Sequence, residues 1–149
     1  MPSWVLVIVL LLVQSAVAQE LPSEMEVRAV YCLAIVHHLH RTMDPPSDLP
    51  APVKEAMEKA RRKLAADLRS LGRYLQPRLS HLDPLALASA QRRGIEDVER
   101  MQAHAKMCAA QCLHPPHKFP PPSCLEQCNA DNPGNAALQG CADLRWLPH

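Results

Sequence analysis

The sequence predicts an all-α protein, a small disulfide-stapled helical bundle of three longer helices followed by a short cross-linked C-terminal helical cap. Three observations predict it. Apolar residues recur every three or four positions through most of the chain, the period of an amphipathic helix. The 15 prolines among 149 residues gather where those stretches break off rather than inside them. Five of the six cysteines, Cys108, Cys112, Cys124, Cys128 and Cys141, lie in the last third, two pairs of them at helical spacing. With 4 glycines, two Trp, two Tyr and one Phe, the composition argues against a β-sandwich, a nucleotide-cradling loop or an aromatic platform for sugars or bases. Lys+Arg is 16 and Asp+Glu is 15, so no net field advertises a nucleic-acid partner.

Residues 1–18 read as a secretory signal peptide. Trp4 to Val13 carries no charged or polar side chain, and Ala16-Val17-Ala18 is a small-x-small cleavage site before Gln19. The apolar run is shorter than the roughly 20 residues a membrane-spanning helix takes. No Lys or Arg precedes it, which keeps an uncleaved anchor as the rival reading. Cleavage leaves residues 19–149 as a single helical domain with no further span. No Asn-x-Ser/Thr sequon occurs, and the expectation is an exported protein, periplasmic or secreted, of bacterial type.

The first helix is announced by Ser23-Glu24-Met25-Glu26, a capping box with Ser at N-cap and Glu at N3. Val27 to Leu39 follows, apolar nearly all round from Val30 to Val36, as befits a helix in the middle of a bundle. A proline-rich linker near 44–52 stops it. In the second helix Val53, Met57, Ala60, Leu64, Leu68, Leu71, Leu75 and Leu79 form a continuous stripe expected to be buried, and Pro77 ends the helix near Leu75. Asp83-Pro84 opens the third as N-cap and N1. Its expected inner face is Leu85, Ala88, Ile95, Val98, Met101, Ala105, Cys108 and Cys112, with Gly94 a weak point costing about 1 kcal/mol relative to Ala. A second proline-rich linker spans 115–122. Ser123 to Asn129 makes two helical turns, Asn132-Pro133-Gly134-Asn135 has the form of a type II turn, and a short helix from Ala136 to Cys141 precedes the tail. Trp146, the only tryptophan after residue 18, is expected to dock against the bundle rather than face a partner.

Six cysteines in an exported chain are first of all a disulfide framework. Cys108-x3-Cys112 and Cys124-x3-Cys128 each place two sulfurs on one helix face, which suits an antiparallel hairpin closed by two bridges. The nested reading is Cys108–Cys128 and Cys112–Cys124, leaving Cys32–Cys141. A rival joins Cys32 to Cys108 or Cys112, and Cys141 to Cys124 or Cys128. The bridges answer a physical need, since a two-turn helix is far below the roughly 12–15 residues an isolated helix requires. Over Cys108 to Cys128 the twin C-x3-C pattern resembles the hairpins of the small chaperones of the mitochondrial intermembrane space. Those chaperones lack a cleaved secretory signal and carry four core cysteines on a shorter chain, so the likeness is a shared way of stapling a hairpin rather than kinship.

C-x3-C is not the C-x-x-C of thiol oxidoreductases, so a thiol-disulfide redox protein is the weakest functional reading. Cys108 to His114 reads C-x3-C-x-H, which displaces the imidazole by one residue from the haem attachment motif. No cofactor is expected. Metal is the stronger alternative: His37 and His40 share a face, with Asp44 a turn beyond, and Met101, His104, Met107 and Cys108 form a soft-donor cluster with His114 and His117 beyond it. Such a protein would bind periplasmic copper or zinc. The blander explanations are a polar helix end for the first group and core packing for Met101. Between Lys54 and Arg78 there are eight positive and three negative side chains. Arg61, Arg62, Lys63, Arg69 and Arg73 make this a basic face that suits acidic partners or anionic lipid head groups, or is neutralised by the acidic first segment. No G-x-S-x-G, H-E-x-x-H or G-x-x-x-x-G-K-[ST] is present. The reading is a non-catalytic interaction or structural module with a protein partner.

Overall fold

In the computed structural model residues 20–113 and 120–148 are described. The signal-peptide expectation at 1–18, His114, His117 and most of the second proline linker lie outside them. Five α-helices follow one another: α1 (Glu24–Thr42), α2 (Ala51–Leu75), α3 (Pro84–Cys112), α4 (Pro122–Asn129) and α5 (Asn135–Ala142), with a 3-10 turn at Leu144–Trp146. The protein is an all-α, disulfide-bridged helical bundle, and no described helix is long and apolar enough to cross a membrane.

Local chemistry sets the helix ends. Ser23 closes a complete capping box: its Oγ accepts from the Glu26 backbone N–H at 3.3 Å, and Glu26 Oε2 accepts from the Ser23 N–H at 2.8 Å. Asp83 caps α3 by accepting from Leu85 N at 3.0 Å, with Pro84 in the first turn where its missing N–H costs nothing. Pro52 likewise sits in the first turn of α2. Glu20 adds a short backbone clasp across the far end: its N–H donates to His81 O at 3.0 Å and its carbonyl accepts from Asp83 N at 3.2 Å.

α1 is the hub, packed against α3, α2 and α5, because a helix apolar nearly all round has no face to give to water. Its Ala29, Val30, Cys32, Ile35 and Val36 meet Leu71 and Leu75 of α2, Ala90 and Val98 of α3, and Cys141 and Leu147 of the C-terminal cap. Each large side chain fully buried in this way contributes about 1.5–3 kcal/mol.

The expected stripes of α2 and α3 both need correction. On α2 only Leu71 and Leu75 are buried; Leu64 and Leu68 pack partly and Val53 is 44% exposed, while Leu79, expected as the last member of the stripe, lies past the end of the helix and is 45% exposed. The reason is length. α2 has 25 residues against 19 in α1, an excess of about 9 Å at 1.5 Å per residue. Its C-terminal end is registered to the start of α1 by the ion pair of Arg78 with Glu26 at 3.8 Å, so its first turns run past the end of α1. On α3, Leu85 is 79% exposed and Ala88 is also exposed, and Leu87, Ala90 and Gly94 face inward in their place, while Val98, Met101, Cys108 and Cys112 lie inward as expected. Leu85 stands in the first turn, beside its cap, where no neighbouring helix reaches it.

Gly94 is a contact point rather than a flaw. A Cβ there would lie 2.6 Å from the Tyr31 carbonyl oxygen and 3.0 Å from Ala34 Cβ, so the missing side chain is what lets α3 approach α1. The turn before α5 is type I, not type II: Gly134 has φ −82° and ψ −9°, and Asn135 N donates to Asn132 O at 3.0 Å. Glycine is needed for room, because a Cβ would meet the Met101 side chain, with Cγ at 2.7 Å.

Candidate functional site

The C-terminal part of α3 and the short α4 form the stapled hairpin. Cys108 is bonded to Cys128 and Cys112 to Cys124, with Cα–Cα separations of 5.7 and 5.8 Å; Cys32 is bonded to Cys141 at 5.3 Å. All six sulfurs are therefore in bridges. Their exposure differs. Cys32 and Cys141 are both buried, whereas Cys108 and Cys112 are buried on α3 and their partners on α4, Cys128 and Cys124, are half-buried.

His104 lies one turn before Cys108 on the same face of α3. Its Nε2 is 3.1 Å from the Cys128 carbonyl oxygen, and since a carbonyl only accepts, Nε2 carries the proton and donates. The donor atoms of His104, Cys108 and Cys128 lie within 4.8 Å of one another, the one such group of three among the described residues. Of the residues expected as metal ligands, the structure thus brings His104 and Cys108 together, adding Cys128 from α4.

The others are placed elsewhere. His37 is exposed and His40 half-buried, and α1 ends at Thr42 with Met43 as C-cap, so Asp44 leaves the helical face that would have completed the group. Asp44 instead pairs with Arg61 at 3.0 Å. Met101 packs against the core and fills the space kept open by Gly134, while Met107 is 45% exposed.

The basic face of α2 divides in two. Arg61 and Lys63 are engaged, the first by Asp44, the second by Asp67 at 2.7 Å and by the Ala142 carbonyl at the end of α5 at 3.0 Å. Lys59, Arg62, Arg69 and Arg73 are exposed and share the side of α2 that points away from α1. From Lys59 to Arg73 this stripe runs about 21 Å along the helix. Arg62 stands 4.0 Å from Glu58; among the described residues the other three have no carboxylate within ion-pair distance. Beside the stripe, Arg73 and Tyr74 of α2, Arg78 of the turn after it, and Asp143, Leu144 and Arg145 of the tail border a groove of about 790 Å³.

The tail docks. Leu147 is buried, and Arg28 of α1 stacks over the Trp146 ring at 4.5 Å while donating to the Gly140 carbonyl at 2.8 Å. Trp146 Nε1 is buried and has no hydrogen-bond partner among the described residues. One turn further along α1, Tyr31 donates to Asp97 of α3 at 2.6 Å, and Arg100 also pairs with Asp97. Burial and then this hydrogen bond to a carboxylate push the Tyr31 phenol up to about 12. Asp97 moves below its ordinary value, chiefly because its charged form accepts the Tyr31 bond. Neither pair was legible in the sequence, because the partners are 66 and 118 positions apart and nothing local marks either.

No family model matches the chain, and no curated protein or solved structure matches it either.

Proposed function

We propose that this is an exported, non-catalytic interaction module, working in the periplasm or outside the cell, that offers the outer face of α2 to an acidic segment of a partner protein. One observation carries the reading: Lys59, Arg62, Arg69 and Arg73 form a continuous exposed basic stripe on a helix whose opposite face is committed to α1. The stripe is interleaved with Ala66 and Ser70 rather than large apolar side chains. That favours a ligand read by charge over a lipid surface, which a helix engages with an apolar face. Three disulfides suit an oxidising compartment, where they give a small scaffold the stability its core alone supplies poorly.

The test is binding of immobilised protein to poly-glutamate. Binding should weaken steeply with added salt, because exposed charges are screened within about 10 Å at 0.1 M. It should fall about tenfold in Arg69→Glu/Arg73→Glu, a change of about 1.4 kcal/mol. Equal binding by the reversed variant would sink the reading. Fractionation of producing cells should recover the chain outside the cytoplasm, beginning at Gln19.

A second reading, binding of copper or zinc, is supported by the approach of His104 to Cys108 and Cys128, whose sulfurs become ligands once their bridge is reduced.

A further inference from the structure

We propose that the Cys108–Cys128 bridge masks a metal site: when reduced, Cys108, Cys128 and His104 bind a thiophilic divalent cation of the zinc type. The donor set fits. Two thiolates and an imidazole suit tetrahedral zinc, with water in the fourth position. The sulfurs of Cys108 and Cys128 and a ring nitrogen of His104 already lie within 4.8 Å of one another, so the polypeptide need not refold to collect the three side chains. The hydrogen bond from His104 Nε2 to the Cys128 carbonyl is the second observation. It holds the ring in place and, in the neutral imidazole, leaves the Nδ1 lone pair free. A backbone carbonyl bonded to one ring nitrogen is the usual way a histidine is oriented for a metal on the other.

Exposure decides which bridge opens. Both sulfurs of Cys32–Cys141 are buried, whereas Cys128 is half-buried at the surface of the hairpin. A dithiol reductant reaches Cys128: its thiolate bonds to the Cys128 sulfur, the Cys108 sulfur leaves and takes up a proton, and the second reductant thiolate then displaces Cys128. The reductant ends as a disulfide, and two electrons and two protons have passed to Cys108 and Cys128. Binding of the cation releases those two protons to solvent. Cys112–Cys124 has the same exposure pattern and opens alongside, while Cys32–Cys141 keeps α5 on α1.

The experiment uses the exported chain with all bridges formed, treated anaerobically with a mild dithiol, desalted, and titrated with Co(II) and then Zn(II). Expected are one Co(II) per chain, a thiolate-to-cobalt charge-transfer band, displacement by Zn(II), and no binding by the oxidised protein. His104→Ala should weaken Co(II) binding about tenfold or more. Cys112→Ser/Cys124→Ser should keep both band and stoichiometry, and His37→Ala/His40→Ala should change neither. Equal affinity in His104→Ala would overturn the proposal in favour of a site made by cysteines alone. Binding of one equivalent by the oxidised protein would overturn the masking. Where the double serine variant fails to fold by circular dichroism, the His104→Ala comparison decides, since that variant keeps every bridge.

Discussion

Gly94→Ala sets helix propensity directly against packing. By propensity alone, alanine in a helix interior gains about 1 kcal/mol over glycine. At position 94 the new Cβ would lie 2.6 Å from the Tyr31 carbonyl oxygen, where ordinary contact begins near 3.4 Å. The obstructing atom belongs to the backbone of α1 and cannot rotate away. Ala34 Cβ at 3.0 Å blocks retreat on one side. α3 must therefore move off α1 by several tenths of an ångström along the most extensive interface of the bundle. Overpacking of this kind costs about 1–3 kcal/mol, and a rigid obstacle puts it at the upper end. The net expectation is a loss of about 2 kcal/mol, or roughly 5–10 °C in Tm for a domain of this size. Gly72→Ala is the matched control: it too is a helix-interior glycine, and nothing lies within 4 Å of its missing Cβ. It should stabilise by up to about 1 kcal/mol. Thermal and urea unfolding followed by far-ultraviolet circular dichroism, with bridges intact, measures both. If Gly94→Ala is as stable as the parent, or moves in the same direction as Gly72→Ala, the close approach of α1 and α3 is wrong.

Further expectations follow from the bridges, the half-buried Tyr31–Asp97 pair and the tail. The Cys32–Cys141 bridge spans 109 positions, against 20 and 12 for the hairpin pair. In the chain-entropy account its loss (Cys32→Ser/Cys141→Ser) costs about 4.7 kcal/mol and loss of either hairpin bridge about 3; a reversed order in urea midpoints would contradict this. Asp97 has a lowered folded-state value, so its contribution is present above the unfolded carboxylate range and is lost as pH falls through and below about 4. Tyr31 is raised to about 12, so its contribution is complete below pH 10 and is lost as pH climbs from there toward 12. Tyr31→Phe should flatten both limbs of the stability–pH curve, and an unchanged acid limb would argue against the Asp97 bond. Trp146→Ala should destabilise by about 2 kcal/mol, less than a fully buried tryptophan because the ring is half-buried. Arg28→Ala should shift Trp146 fluorescence by removing the cation stacked on the ring; an unmoved spectrum would place the tail elsewhere.

Much of the helical framework could be read from the chain because the forces that set it are local. The Ser23 capping box, the Asp83-Pro84 start and the proline breaks act over three or four residues, and the structure ends its helices at those points. The all-round apolar character of α1 likewise foretold its central place, since such a surface is tolerated only where neighbours cover every side. Of the candidate site, His104 and Cys108 shared a helical face in the sequence, but Cys128 joins them only through the hairpin.

What tertiary structure decided is where one helix meets another. Periodicity marked the stripe of α2 but not how far α1 reaches along it, so Val53 was expected inside and lies at the surface. The first turn of α3 was misread for the same reason: Leu85 and Leu87 are both apolar, and only the position of α1 says which one is covered. Gly94 and Gly134 look like conformational punctuation in one dimension, yet each is fixed by a neighbour's atoms, Tyr31 in one case and Met101 in the other. The same holds for the bridges. The spacing of the cysteines allowed more than one pairing, and the geometry that chooses among them exists only once α4 has folded back along α3 and α5 has docked on α1. Caps and prolines act through bonds and near neighbours, whereas coverage, close approach and cross-linking depend on atoms distant in the chain.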